Sequence, residues 1–166
     1  MEKLLIINTG GTFNKRYNPL SGELEVPCDN SAIEAILTHA PNLSYEIISP
    51  VYKDSLEMTQ DDRVLIAQAI KNSSLDKIII VHGTDTMDQT AAYLATHIQD
   101  RTILLTGAMM PFSIDPIEAT SNLMLAIGNL QKNEEKGLYI AMHGIVMSHE
   151  KIYKNRTKGI FQVHKD

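Results

Sequence analysis

A second cysteine is missing from this chain of 166 residues, so Cys28 cannot form an internal disulfide, which fits a reducing compartment. Positive charge is also scarce: 15 Lys and Arg stand against 20 Asp and Glu, for a formal net charge of −5. Nucleic acids and anionic membranes are bound through clustered cations that release phosphate counterions, so neither is an expected partner. The basic residues gather only between Lys151 and Lys158. Long apolar runs are absent too. Met1, Glu2 and Lys3 lead straight into a segment too brief for a signal-type stretch or a membrane span, which places the expected location in the cytoplasm. No G-x-G-x-x-G follows the first apolar run, and no G-x-x-x-x-G-K-[ST] occurs. His82, His143 and His149 lack the H-E-x-x-H or Cys/His spacing of a metal set. No metal or cofactor is therefore expected, and these histidines read as structural.

What is present is ordinary for a folded domain, with 43% hydrophobic and 21% charged residues. The length fits one domain that buries about two-thirds of its unfolded surface. Short β-branched runs at residues 3–8, 44–49, 77–81, 102–106 and 137–143 alternate with segments of helical period. This alternation implies an α/β fold: a right-handed, mostly parallel, doubly wound sheet, Rossmann-like or flavodoxin-like, with helices on both faces. Ser31 and Glu34 resemble a capping box for a helix ending near His39, and Thr59 with Asp62 begins a similar one reaching Asn72. A third helix is expected over 88–97, and a fourth from Asp115 as cap and Pro116 as first residue to Gln131. Residues 13–30 carry Pro19, Gly22 and Pro27 without helical period, too long for a plain connection. Ser21-Gly22-Glu23 suits a hairpin turn, and the stretch a lid over a site. Met109, Met110, Met124 and Met142 read as fillers of core gaps.

Two turns carry the candidate chemistry. Thr9-Gly10-Gly11-Thr12 follows the first apolar run and His82-Gly83-Thr84-Asp85-Thr86-Met87 the third. Ligands of open α/β sheets bind outside the carboxyl ends of such strands. Glycines there let backbone N–H groups approach a phosphate or the oxyanion of an acyl transfer, although the first motif equally suits a tight turn with hydroxyl caps. The second is harder to reduce to structure. A helix cap needs one Ser, Thr or Asp, and three such side chains stand together; Asp85 alone would pass as a cap. A threonine hydroxyl becomes a nucleophile once a base takes its proton, and a distant lysine paired through Asp85 meets that need.

Together the two motifs resemble the signatures of the bacterial-type L-asparaginase and glutaminase family. Further matches follow in order: Asp54-Ser55-Leu56-Glu57-Met58, Thr106-Gly107-Ala108-Met109-Met110-Pro111, Asn122-Leu123 and Lys154. The resemblance implies an amidohydrolase that converts L-asparagine to L-aspartate and ammonia, with L-glutamine as a poorer substrate. It makes Thr12 the nucleophile, Tyr17 the lid residue that orients or deprotonates it, and Thr84, Asp85 and Lys154 a second catalytic set; either threonine has been assigned the first attack in this family. It also implies that Gly11, Asp54, Ser55, Gly83 and Asp85 bind substrate, Ser55 at the α-carboxylate and Asp85 at the α-ammonium.

Departures from the family pattern temper the substrate. Met110 stands where the family commonly has Arg, and Leu56 and Glu57 replace more polar residues. Family members usually carry a C-terminal domain that, in their dimers, reaches the neighbour's substrate, whereas this chain ends at Asp166. A single catalytic domain over 1–166 is the expectation, with a homo-oligomer, a dimer first, completing the site. Two rivals accompany this reading: a non-catalytic amino-acid-binding module of the same fold, and an amidase for a larger side-chain amide such as a glutaminyl group.

Overall fold

Apolar, β-branched runs form the centre of the molecule because each is buried on both faces. In the computed structural model, which describes residues 2–165, the elements are β1 (Leu4–Asn8), β2 (Arg16–Asn18), β3 (Glu23–Glu25), α1 (Ser31–Leu37), β4 (Tyr45–Ile48), α2 (Gln60–Asn72), β5 (Lys77–Val81), α3 (Met87–His97), β6 (Thr102–Thr106), α4 (Pro116–Lys132), β7 (Gly137–Met142), β8 (Ile145–Ser148), β9 (Ile152–Asn155) and β10 (Ile160–Val163). The main sheet runs β4-β1-β5-β6-β7-β8. All neighbours in it are parallel except β8, which is antiparallel to β7.

Strand alternation sorts the core into two layers. Leu5, Ile7, Ile78 and Ile80 meet Ile66 and Ile70 of α2 and Leu94 of α3. Leu4, Ile6, Ile79 and Val81 meet Ile33 and Leu37 of α1 and Leu123 and Ile127 of α4. Each fully buried Leu or Ile contributes on the order of 1.5–3 kcal/mol, so both helical layers are held by the sheet. This is the expected doubly wound α/β architecture. The chain leaves β1 for β4 on one side and returns to β5 on the other, so a topological switch point opens at the carboxyl ends of β1 and β5.

Local signals held unevenly. Thr59 makes both bonds of a capping box with Asp62, and Asp115 caps α4 through the Ile117 N–H with Pro116 in first position. At α1 the expected box does not form: Asn30 is the cap residue, and the Ser31 hydroxyl donates to Asp29 Oδ1 at 2.7 Å. The helix starts one residue earlier than the box requires, so Ser31 is its first residue and not its cap. The 13–30 segment contains the β2–β3 hairpin, with Gly22 at φ +75° in its turn.

The strand expected over 137–143 stops at Met142, because His143 adopts φ +52° and turns the chain into β8. The basic stretch beyond is not a plain loop. It contains β9 and β10, an antiparallel hairpin pairing Lys154 with Phe161. Of the four methionines expected in the core only Met142 is fully buried; Met110 and Met124 face solvent, and Met109 lies at the site described next. Among the described residues no helix is long and apolar enough to cross a membrane.

Candidate active site

The first turn is built by side chains that satisfy its own backbone. Asn8, buried at the end of β1, accepts through Oδ1 from the Gly10 N–H at 3.1 Å and from Asn14 Nδ2 at 2.9 Å. Asn14 Nδ2 also donates to the Gly10 carbonyl at 2.7 Å. These bonds fold Thr12–Asn14 into a single 3-10 turn and leave Thr12 half-buried. Gly11 has φ +73°, and a Cβ on it would lie 2.5 Å from the Gly83 nitrogen. No residue but glycine fits there. The two glycine turns are thereby pressed together across the switch point, one residue before Thr12 and one before Thr84.

The third segment joins from the β4–α2 connection. A Cβ on Gly83 would lie 2.7 Å from Ser55 Oγ. Ser55 Oγ accepts from the Asp85 N–H at 3.1 Å, and the Ser55 carbonyl accepts from Thr86 Oγ1 at 2.7 Å. Ser55 is therefore committed to shaping the second turn, while its own O–H remains able to donate.

Lys154 reaches in from β9. Its Nζ donates to Thr84 Oγ1 at 2.8 Å and to Asp85 Oδ1 at 2.7 Å. The Thr84 hydroxyl directs its hydrogen toward Met109 Sδ at 3.3 Å. The Lys154 hydrogen bond and charge, reinforced by Arg156, hold the Asp85 carboxyl below the usual carboxylate range despite partial burial. An amine within hydrogen-bonding reach of a hydroxyl, with a carboxylate steadying its charged form, is an arrangement for moving a threonine proton.

Buried networks keep this cluster in place. His82, fully enclosed, donates from Nδ1 to the Gly83 carbonyl at 2.7 Å and accepts at Nε2 from Thr90 at 2.8 Å, and Arg63 Nε donates to Thr90 at 3.1 Å. Burial pushes the His82 imidazole down to about 4, so it stays neutral in this role. Glu118 accepts from the Met109 and Met110 N–H groups and from His143 Nε2, while His143 Nδ1 accepts from the Phe161 N–H. Asn122 bridges the Gly107 carbonyl and the His143 N–H. His82 and His143 thus serve structural hydrogen bonds, whereas His149 lines the cavity beside Thr84 and Asp85, and no group of three or more metal-type ligands occurs among the described residues.

Not every expected residue lies against this cluster. A cavity of about 400 Å³ is lined by Thr84, Asp85, Lys154 and Arg156, with Thr12 outside its walls. Tyr17 lies on β2, 63% exposed, in a separate groove with Pro19, Glu25 and Pro27. Asp54 pairs with Lys15 at 2.5 Å. Burial raises the Asp54 carboxyl, but Lys15 and the Leu56 N–H outweigh it and the net shift is downward. Leu56 and Met110, two departures from the family pattern, are exposed nearby.

Sequence reasoning missed Asn8, Asn14, Glu118 and Arg156. The first two sit in the motif's immediate flanks, where an asparagine pair around two glycines was a usable signal. Arg156 had none, being one cation in a basic run.

The family model for the N-terminal part of asparaginases matches residues 3–164. The chain belongs to the asparaginase family. It is 27% identical over 95% of its length to the L-asparaginase of Thermococcus kodakarensis, covering 49% of that protein. It is 30% identical over 87% of its length to a glutamyl-tRNA(Gln) amidotransferase component of Methanococcus vannielii, covering 35% of it. Among solved structures, the Thermococcus kodakarensis L-asparaginase superposes with a TM-score of 0.82 at 28% identity, over 97% of this chain and 51% of that one. A probable cytoplasmic L-asparaginase from Campylobacter jejuni has the same fold, with a TM-score of 0.84 at 24% identity, over 98% of this chain and 53% of that one. The chain spans about half the length of the first two curated asparaginases it matches.

Proposed function

We propose that this protein is an amidohydrolase that cleaves the side-chain carboxamide of asparagine, leaving aspartate and releasing ammonia through a threonyl acyl-enzyme, with the glutamine side chain a poorer substrate. Thr12 attacks the carboxamide carbon. Tyr17 orients or deprotonates it once the β2–β3 hairpin closes as a lid. Backbone N–H groups at the two glycine turns stabilise the oxyanion. Thr84, Asp85 and Lys154 then activate the water that opens the acyl-enzyme. Ser55 holds the α-carboxylate of the substrate and Asp85 its α-ammonium, and Gly11, Asp54 and Gly83 complete the substrate-binding set.

One observation carries this reading: a single lysine nitrogen spans Thr84 Oγ1 and Asp85 Oδ1 at 2.8 and 2.7 Å. A pocket that merely binds an amino acid gains nothing from an amine aimed at a hydroxyl, so the non-catalytic alternative leaves the contact unexplained. Family membership supports the reaction class. The test is ammonia release from asparagine side-chain amides, free and N-acylated, by wild type, Thr12→Ala and Thr84→Val. Each substitution lowers kcat roughly a hundredfold to ten-thousandfold while the circular dichroism stays unchanged. Full turnover by Thr12→Ala rejects that nucleophile.

The same reading includes a homodimer. Leu20, Leu56, Ile114 and Ile117 are exposed apolar side chains on loops and helix starts around the carboxyl edge of the sheet, where a partner surface would cover them.

A further inference from the structure

Arg156 opens the turn after β9 and crosses to the start of α3. One arm of its guanidinium donates to Asp85 Oδ1 and the other to the Asp85 carbonyl oxygen, both at 2.7 Å. Lys154 donates to the same Oδ1. Two cations thus share one carboxylate oxygen, on the residue that would receive the α-ammonium of a free amino acid. That ammonium would be a third positive charge in a cavity whose other acidic side chain, besides Asp85, is Asp88. The guanidinium side chain is 61% exposed, so solvent screens it in part. A like charge within about 6 Å still corresponds to about a tenfold loss of affinity. Arginine keeps its proton at any working pH, so nothing relieves the repulsion.

The cavity beside Asp85 offers surface that free asparagine leaves uncovered. Beyond the charged residues its wall continues into Ile140, Phe161 and the stacked rings of Tyr153 and His164, whose centroids are 4.7 Å apart. At about 400 Å³ the space exceeds what a single small amino acid fills.

We infer that Arg156 makes the site selective for asparagine side-chain amides whose α-nitrogen is acylated, over free asparagine. An acylated nitrogen is neutral. It presents one N–H to Asp85, its acyl carbonyl can accept from the exposed side of the guanidinium, and its acyl group occupies the apolar wall. The chemistry rests on the amidohydrolase reading: the Thr12 hydroxyl adds to the carboxamide carbon, the C–N bond breaks and ammonia leaves with the hydroxyl proton, and water then cleaves the acyl ester to release an N-acylaspartate and free Thr12. The ligand preference rests chiefly on Arg156, with the apolar wall adding to it.

The test compares kcat/KM for ammonia release from L-asparagine and N-acetyl-L-asparagine in wild type and Arg156→Gln. Calorimetric binding of L-aspartate and N-acetyl-L-aspartate runs in parallel. Wild type prefers the acetylated member of each pair by about tenfold or more, and Arg156→Gln moves both ratios toward the free amino acid by about tenfold. A substitution that only loosened the hairpin would slow both substrates equally, and an unchanged ratio, like a wild-type preference for free asparagine, overturns the inference. If neither substrate yields ammonia while N-acetylaspartate still binds more tightly than aspartate, the reaction fails and the preference stands. With neither turnover nor selective binding, both fall.

Discussion

Burying an imidazole costs the charged form, and at His82 this cost has a visible structural use: the neutral ring accepts from Thr90 on one side and donates to the Gly83 carbonyl on the other. With its acidity at about 4 in the fold, against 6.5 in the unfolded chain, the unfolded state binds more protons across that window. Stability is therefore full above pH 6.5 and declines as pH falls toward 4, by about 3 kcal/mol in total. Urea unfolding at stepped pH values checks this, and His82→Asn flattens the slope. The carboxylates Asp54, Asp62 and Asp85 are held below their ordinary value of 3.8, and because their contribution is lost only as pH falls through that unfolded-chain value, most of the His82 window lies above it. Asn14 presents the complementary case of a buried amide with three contacts, two donated and one accepted. Asn14→Ala strips Asn8 and the Gly10 carbonyl of a buried partner and costs about 2–3 kcal/mol, measurable by the same unfolding.

Among the elements, the helix starts separate signals that resemble each other in sequence. Thr59 and Ser31 both precede an acidic residue three positions on, but Thr59 alone closes a capping box. Thr59→Ala destabilises by about 1 kcal/mol and Ser31→Ala by a few tenths, a contrast that paired thermal melts resolve. The β9–β10 hairpin carries the reverse lesson. Its charged composition resembles a solvated loop, yet the two-residue period of β9 leaves Tyr153 exposed and turns Lys154 inward. The expected helices and parallel strands were legible because their burial follows a strong period; the hairpin was not, because its strands are only four residues each.

At the scale of the molecule, a chain about half the length of its curated relatives presents exposed apolar side chains around its site. A dimer should sediment at twice the chain mass at micromolar concentration, and Ile117→Lys together with Leu56→Lys should return it to the monomer. A monomeric wild type would remove the dimer from the reading.

The sequence by itself determined the layered α/β architecture, since strands buried on both faces demand helices above and below, and it determined the two glycine turns with their threonines. Tertiary structure decided which distant groups meet them. Lys154, which the family resemblance names, and Arg156, which nothing in the sequence singles out, stand 69 and 71 positions from Asp85, and hairpin register brings both to it. The same packing engaged Ser55 with the Asp85 backbone. Periodicity is a local property of the chain, whereas a hydrogen bond between remote side chains depends on how whole elements are stacked.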